Sequence, residues 1–103
     1  MRRRRRIEEN TEKAAVTTAQ GTLQGTLDFT RVPQLLAQAE ALSADGVLDL
    51  GGVSNADSAG LALLLELSRR SKARGRHLSI RGANEQIVQL ARFFGLDKIL
   101  RFE

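Results

Sequence analysis

A chain of 103 residues with 42% hydrophobic content is the size of one domain built around one core, and it contains no cysteine, which excludes disulfides and thiolate metal sites. The formal net charge of +4 is concentrated at the start: residues 1–13 hold six cations (Arg2 to Arg6 and Lys13) and three anions (Glu8, Glu9 and Glu12), whereas the rest holds ten cations and nine anions. A nearly neutral body argues against a nucleic-acid partner, and the lack of an apolar run long enough to span a bilayer predicts a soluble, unexported, cytoplasmic protein.

Residues 1–13 are charge-dense and nearly free of apolar side chains, so they read as a disordered basic tail, with residues 14–103 as the folded domain. Residues 14–18 and 21–27 then predict two short strands around a turn at Gln20-Gly21, arranged as a hairpin. Thr30 is placed as an N-cap, with Pro33 in the first turn and Val32, Leu35, Leu36, Ala39 and Leu42 at helical spacing, which predicts a first helix. Val47-Leu48-Asp49-Leu50 predicts a buried strand, and residues 51–56 a loop.

A second helix follows Asp57-Ser58, with leucines at 61, 63, 64, 65 and 67 and the cations Arg69, Arg70, Lys72 and Arg74 at its far end, matched to its own dipole. Leu63 and Leu67 turn away from the stripe formed by positions 61, 64, 65 and 68, so they either pack on neighbouring helices or form an exposed patch. Residues 77–80 predict another strand. Asn84 caps a last helix carrying Ile87, Val88, Leu90, Ala91, Phe93 and Phe94 and closed by Gly95, and residues 99–102 can add an edge strand. Such alternation implies an α/β fold, a mixed sheet of four to five strands with three or more helices packed on it.

Catalytic residue sets are missing from this order. The single histidine, His77, has no cysteine or neighbouring carboxylate to orient it, and Asp49 and Asp57, the nearest approach to a carboxylate pair, are split between a strand and a loop. Gly51-Gly52 follows a strand but lacks the Lys-Ser/Thr of a P-loop and the Gly-x-Gly-x-x-Gly fingerprint. No catalytic, cofactor or metal residue is therefore assigned, and the expectation is a non-enzymatic protein that works by binding. Arg2 to Arg6 could attract phosphates weakly at an anionic membrane surface, but no stacking aromatics accompany them, and the bland reading is a solvated tail.

The segment Asp57-Ser58-Ala59-Gly60-Leu61 stands apart. Ser58 sits where a helix starts and added negative charge is tolerated, and Gly60 in the first turn costs about 1 kcal/mol relative to alanine, which suggests close approach of a backbone, either a partner's or the fold's own. This segment resembles the Asp-Ser/Thr-x-Gly-Leu signature of STAS domains, the fold shared by anti-sigma factor antagonists and the cytoplasmic domains of sulfate transporters. The likeness covers nearly all of residues 14–102. Leu23-Gln24-Gly25-Thr26-Leu27, Val32-Pro33-Gln34-Leu35-Leu36, Gly60-Leu61-Ala62-Leu63-Leu64-Leu65 and Leu90-Ala91-Arg92-Phe93-Phe94-Gly95-Leu96 resemble the MlaB branch in particular.

That resemblance implies a cytoplasmic subunit that binds and supports the ATPase of a phospholipid-transporting ABC complex, together with its permease and substrate-binding subunits, and so meets the inner membrane through its partner. Asp57, Ser58, Ala59, Gly60 and Leu61 would be the docking residues. The alternative the family implies is an anti-sigma factor antagonist that binds a kinase-type anti-sigma factor and is switched off by phosphate on Ser58.

Overall fold

The computed structural model describes residues 21–103. The predicted strand at residues 14–18 and the basic tail lie outside the described residues. Four strands, β1 (Thr22–Leu27), β2 (Val47–Ala56), β3 (Ser79–Arg81) and β4 (Arg101–Phe102), alternate with four helices, α1 (Val32–Leu36), α2 (Ala39–Ser43), α3 (Ser58–Ala73) and α4 (Glu85–Phe93). The strands form one sheet in the order β1-β2-β3-β4, and every described pairing is parallel. The sheet expected to be mixed is thus, among the described residues, parallel throughout. Successive parallel neighbours require a crossover between each pair, and the helices supply it.

The stretch expected as a loop at residues 51–56 is the second half of β2. It escapes the alternation rule because β2 carries two extra residues against β1, one between the pairs Thr22↔Asp49 and Gln24↔Gly52 and one between Gly25↔Val53 and Thr26↔Asn55. Each bulge resets the side-chain period. Buried positions therefore run Leu48, Leu50, Val53, Ala56, and all four point into the core where strict alternation would have turned Val53 to water.

The predicted first helix is two short ones. The Gln38 amide donates to the Leu35 carbonyl, a bond spanning three residues that tightens the chain between α1 and α2. Arg31 is the N-cap of α1 and makes no side-chain cap, whereas Thr30, the expected cap, donates both its amide and its hydroxyl to Asp28. The polar group that organises this turn is thus the aspartate two residues earlier, because its carboxylate can accept from both.

α3 lies against β1 and β2 and also touches α1, α2 and α4, so it is covered on more than one side. Leu61, Leu63, Leu64 and Leu67 are all buried as a result. This decides between the two sequence readings of Leu63 and Leu67 in favour of packing within the domain. Each such leucine withdrawn from water contributes about 2 kcal/mol, and with Leu23, Leu27, Leu42, Ile80 and Ile87 they form a single cluster between helix layer and sheet.

Both long helices end alike. The Arg76 amide donates to the Ser71 carbonyl and the Gly75 amide to Lys72; at the end of α4, Leu96 donates to Ala91 and Gly95 to Arg92. Gly75 and Gly95 have φ of +79° and +73°, the left-handed conformation this closure needs.

Candidate functional site: the N-terminal end of the third helix

Asp57 joins three elements. Its backbone is extended (φ −102°, ψ −172°), and its Oδ1 accepts the Gly60 amide at 2.9 Å, which caps α3. Its Oδ2 accepts the Phe29 amide at 3.2 Å, and its own amide donates to the Leu27 carbonyl at 3.1 Å. The end of β1, the turn after it and the start of α3 are thereby fixed to one residue.

The turn has its own brace. Asp28 accepts the Thr30 hydroxyl at 2.6 Å and the Thr30 amide at 3.1 Å, while its carbonyl accepts the amides of Arg31 and Val32. The Thr30 hydroxyl, helped by these backbone donors, holds the Asp28 carboxyl below the ordinary carboxylate range. On this braced turn the ring of Phe29 projects into solvent, 71% exposed.

Gly60 has a steric reason. A Cβ there would stand 2.4 Å from the Leu27 carbonyl oxygen and 2.8 Å from the Leu27 Cβ, so only glycine lets β1 close against the first turn of α3. The close approach inferred from the sequence is therefore one made by the fold itself. Of the five residues expected to dock, Ser58 is exposed, Asp57 and Ala59 are half-buried, and Gly60 and Leu61 are buried, Leu61 at 1% exposure. Leu61 cannot offer its side chain to a partner without leaving the core. It shapes the surface from beneath.

The other flank of this end is held by α4. Asn84 caps its own helix by accepting the Ile87 amide at 3.0 Å and donates to the Ser54 carbonyl at 2.8 Å. Gln86 pairs with both backbone groups of Ala56, accepting its amide and donating to its carbonyl, each at 3.0 Å. The short β3 pairs β2 only at Val47, Leu48 and Asp49, and these two side chains bind β2 beyond that point. Sequence reasoning found Asn84 as a cap but missed Gln86 and Phe29. A large aromatic between Asp28 and Thr30, in a turn too polar to be core, was the available signal for Phe29.

Among the described residues no group of three or more His, Cys, Asp and Glu side chains could hold a metal ion, and no helix is long and apolar enough to cross a membrane. Asp49 spends one carboxylate oxygen on the Gly51 amide at 2.8 Å, whereas Asp57 binds the amides of Gly60 and Phe29. The site offers a shaped surface and a hydroxyl at a helix start.

Residues 12–101 match the family described as "Mlab, STAS domain". The chain belongs to the MlaB STAS-domain family. Over 57 residues it is 37% identical to the intermembrane phospholipid transport system binding protein MlaB of Escherichia coli K12 and equally to that of Shigella flexneri, a match covering 55% of this chain and 59% of each relative. The matched part is thus under two thirds of the length of those curated relatives. Two solved structures share the fold. One, described as a candidate anti-sigma factor antagonist from Thermotoga maritima, has a TM-score of 0.67 at 14% identity, covering 84% of this chain and 82% of that one. The other, the anti-sigma factor antagonist SpoIIAA in its unphosphorylated form, has a TM-score of 0.56 at 18% identity, covering 84% and 83%. At the head of α3, the packing of Gly60 against Leu27 and the two amides bound by Asp57 give the run Asp57 to Leu61 a structural cause in this chain.

Proposed function

We propose that this chain is a non-enzymatic docking subunit, which binds and supports the ATPase of a phospholipid-transporting ABC system through the surface at the N-terminal end of α3. The observation that carries the reading is the braced, exposed surface made by Phe29 and Ser58 around the Asp57 hub. An aromatic held in water on a rigid turn loses little entropy on docking and offers a large apolar contact. The relatives' name adds the kind of system in which such a surface would work.

The docking set is then Ser58 with Phe29, positioned by Asp57 and shaped by Gly60 and Leu61. Co-expression with the ATPase of the matching transport system tests it. Wild type is expected to co-purify with the ATPase, and with its permease and substrate-binding subunits when these are present. Ser58→Arg and Phe29→Ala should lose the complex while keeping the wild-type melting temperature. Co-purification of both variants at wild-type yield would refute this surface as the interface.

One observation favours a second reading. The Ser58 hydroxyl is exposed at the first position of α3, open to a kinase, and a phosphate there would add about −1.5 to −2 charge in the middle of the contact surface. Intact mass after incubation with an anti-sigma kinase separates the two: a phosphate shift lost in Ser58→Ala supports the switch, and an unchanged mass counts against it.

A further inference from the structure

Among the described residues, one stripe on the C-terminal half of α3 has no covering element. Leu65, Ser68, Arg69 and Lys72 recur at the spacing of a single helix face and form one wall of a cavity of about 510 Å³. The chain entering β3, through Arg76, His77 and Leu78, forms a second wall, and the chain entering β4, through Lys98, Ile99 and Arg101, a third.

Two kinds of surface meet there. Leu65, Leu78 and Ile99 supply apolar contact, and Ile99 is 58% exposed. Arg69, Lys72, Arg76, Lys98 and Arg101 surround them, and among the described residues no aspartate or glutamate lines the cavity. Glu66 engages Arg69, and Arg76 donates to the Ala44 carbonyl. Lys72, Lys98 and Arg101 make no ion pair among the described residues.

The dipole of α3 accounts for cations in its last turn, but Lys98 and Arg101 come from another element and converge on the same space. In a body of nearly balanced charge this is a local excess facing a concave, low-dielectric wall, the arrangement that concentrates an anion. The Ser68 hydroxyl oxygen, on the same stripe, is shielded from water and has no hydrogen-bond partner among the described residues. The volume is that of a small-molecule site, and its apolar part would be wasted on a bare inorganic ion.

The geometry points to a binding site for an anionic amphiphile, a phosphate or carboxylate head held by Lys72, Lys98 and Arg101 with its apolar chain on Leu65, Leu78 and Ile99. The site draws on the C-terminal half of α3 and does not depend on docking at the other end. Backbone amide NMR of the full chain, titrated with a short-chain lysophosphatidic acid kept below its micelle concentration, tests it. Saturable shifts confined to Ser68, Leu78, Ile99 and their neighbours are expected. Binding should weaken about tenfold or more in Lys72→Glu/Arg101→Glu and measurably in Ile99→Ser, at unchanged melting temperature.

Three comparison ligands make the outcome decisive. Inorganic phosphate binding as tightly would mean a bare anion site, and lysophosphatidylcholine of the same chain length binding as tightly would mean an apolar patch. Vesicles of phosphatidylglycerol binding while the monomeric lipid gives no saturable shift would mean surface attraction. Each of those results, or the absence of any localised shift, overturns the amphiphile site.

Discussion

The two ends of α3 do opposite things with the same helix. At its start, Gly60 is pressed against Leu27, Asp57 binds two amides, and the exposed Phe29 and Ser58 are uncharged and braced. At its finish, a Cβ on Gly75 would meet nothing within 4 Å, and the neighbouring surface is cationic and concave. One end is fixed by neighbours, the other by the helix's own closure. The difference shows that a glycine in a motif and a glycine after a helix answer to different forces, although both read as Gly in the sequence.

Gly60→Ala should be the most damaging probe of this contrast. The added methyl meets a carbonyl oxygen and a Cβ that cannot swing aside, so the unfolding free energy should fall by about 3 kcal/mol in urea titration, the upper range for overpacking. A loss below about 1 kcal/mol would mean that β1 can yield there and that the start of α3 is not the tight end.

Asp57→Ala removes a cap and releases the Phe29 amide, and a cost of about 1 to 2 kcal/mol is expected. It should also loosen the turn that carries Phe29, visible as faster hydrogen exchange at the Phe29 amide than in wild type. Unchanged exchange would separate the turn from the helix cap.

At the other end, Gly75→Ala should cost about 1 kcal/mol, from its φ of +79° alone. The effect should be the same in a variant whose cavity residues are changed, because no side chain touches that site. Coupling between the two substitutions in a double-mutant cycle would show that this end is not as open as its geometry indicates.

The smallest effect is electrostatic. Hydrogen bonds from Arg69 and then Arg70, at 2.8 and 2.7 Å, lower the Glu66 carboxyl from its ordinary value of 4.5 to about 2. A depressed folded pKa stabilises above the unfolded value, so this contribution is complete above about pH 4.5 and is lost as pH falls through about 2. The pair is solvent-facing, so the shift in melting temperature should be slight and weaker in high salt. Wild type should lose more of its melting temperature over that window than Glu66→Gln, and equal losses would dissociate Glu66 from acid stability.

The sequence made some caps legible because a cap is a local event, although Thr30, expected as one, serves Asp28 instead. Asn84 and Gly95 lie where a side chain or freedom at φ is needed within four residues. The second half of β2 was illegible for the opposite reason. Its two glycines suggest a loop, and its burial pattern makes sense only against the register of β1, which lies more than twenty residues away. Gly52 is tolerated there because the Gln24 side chain crosses over it, with only 2.8 Å to a notional Cβ. The candidate site divides in the same way. Ser58 and Asp57 were visible as a helix start, but the burial of Leu61 and the exposure of Phe29 depend on how β1 closes on α3, which no spacing records.

The sheet order repeats the chain order, with each described strand beside the one made immediately before it. No later strand has to be inserted between two that are already paired. During synthesis, β2 can dock on β1 once α1 and α2 have emerged, and β3 and β4 then extend an edge that already exists. A fold built in this way grows in one direction. Of the described strands β4 is the shortest, two residues, and its arrival after β3 leaves least unpaired.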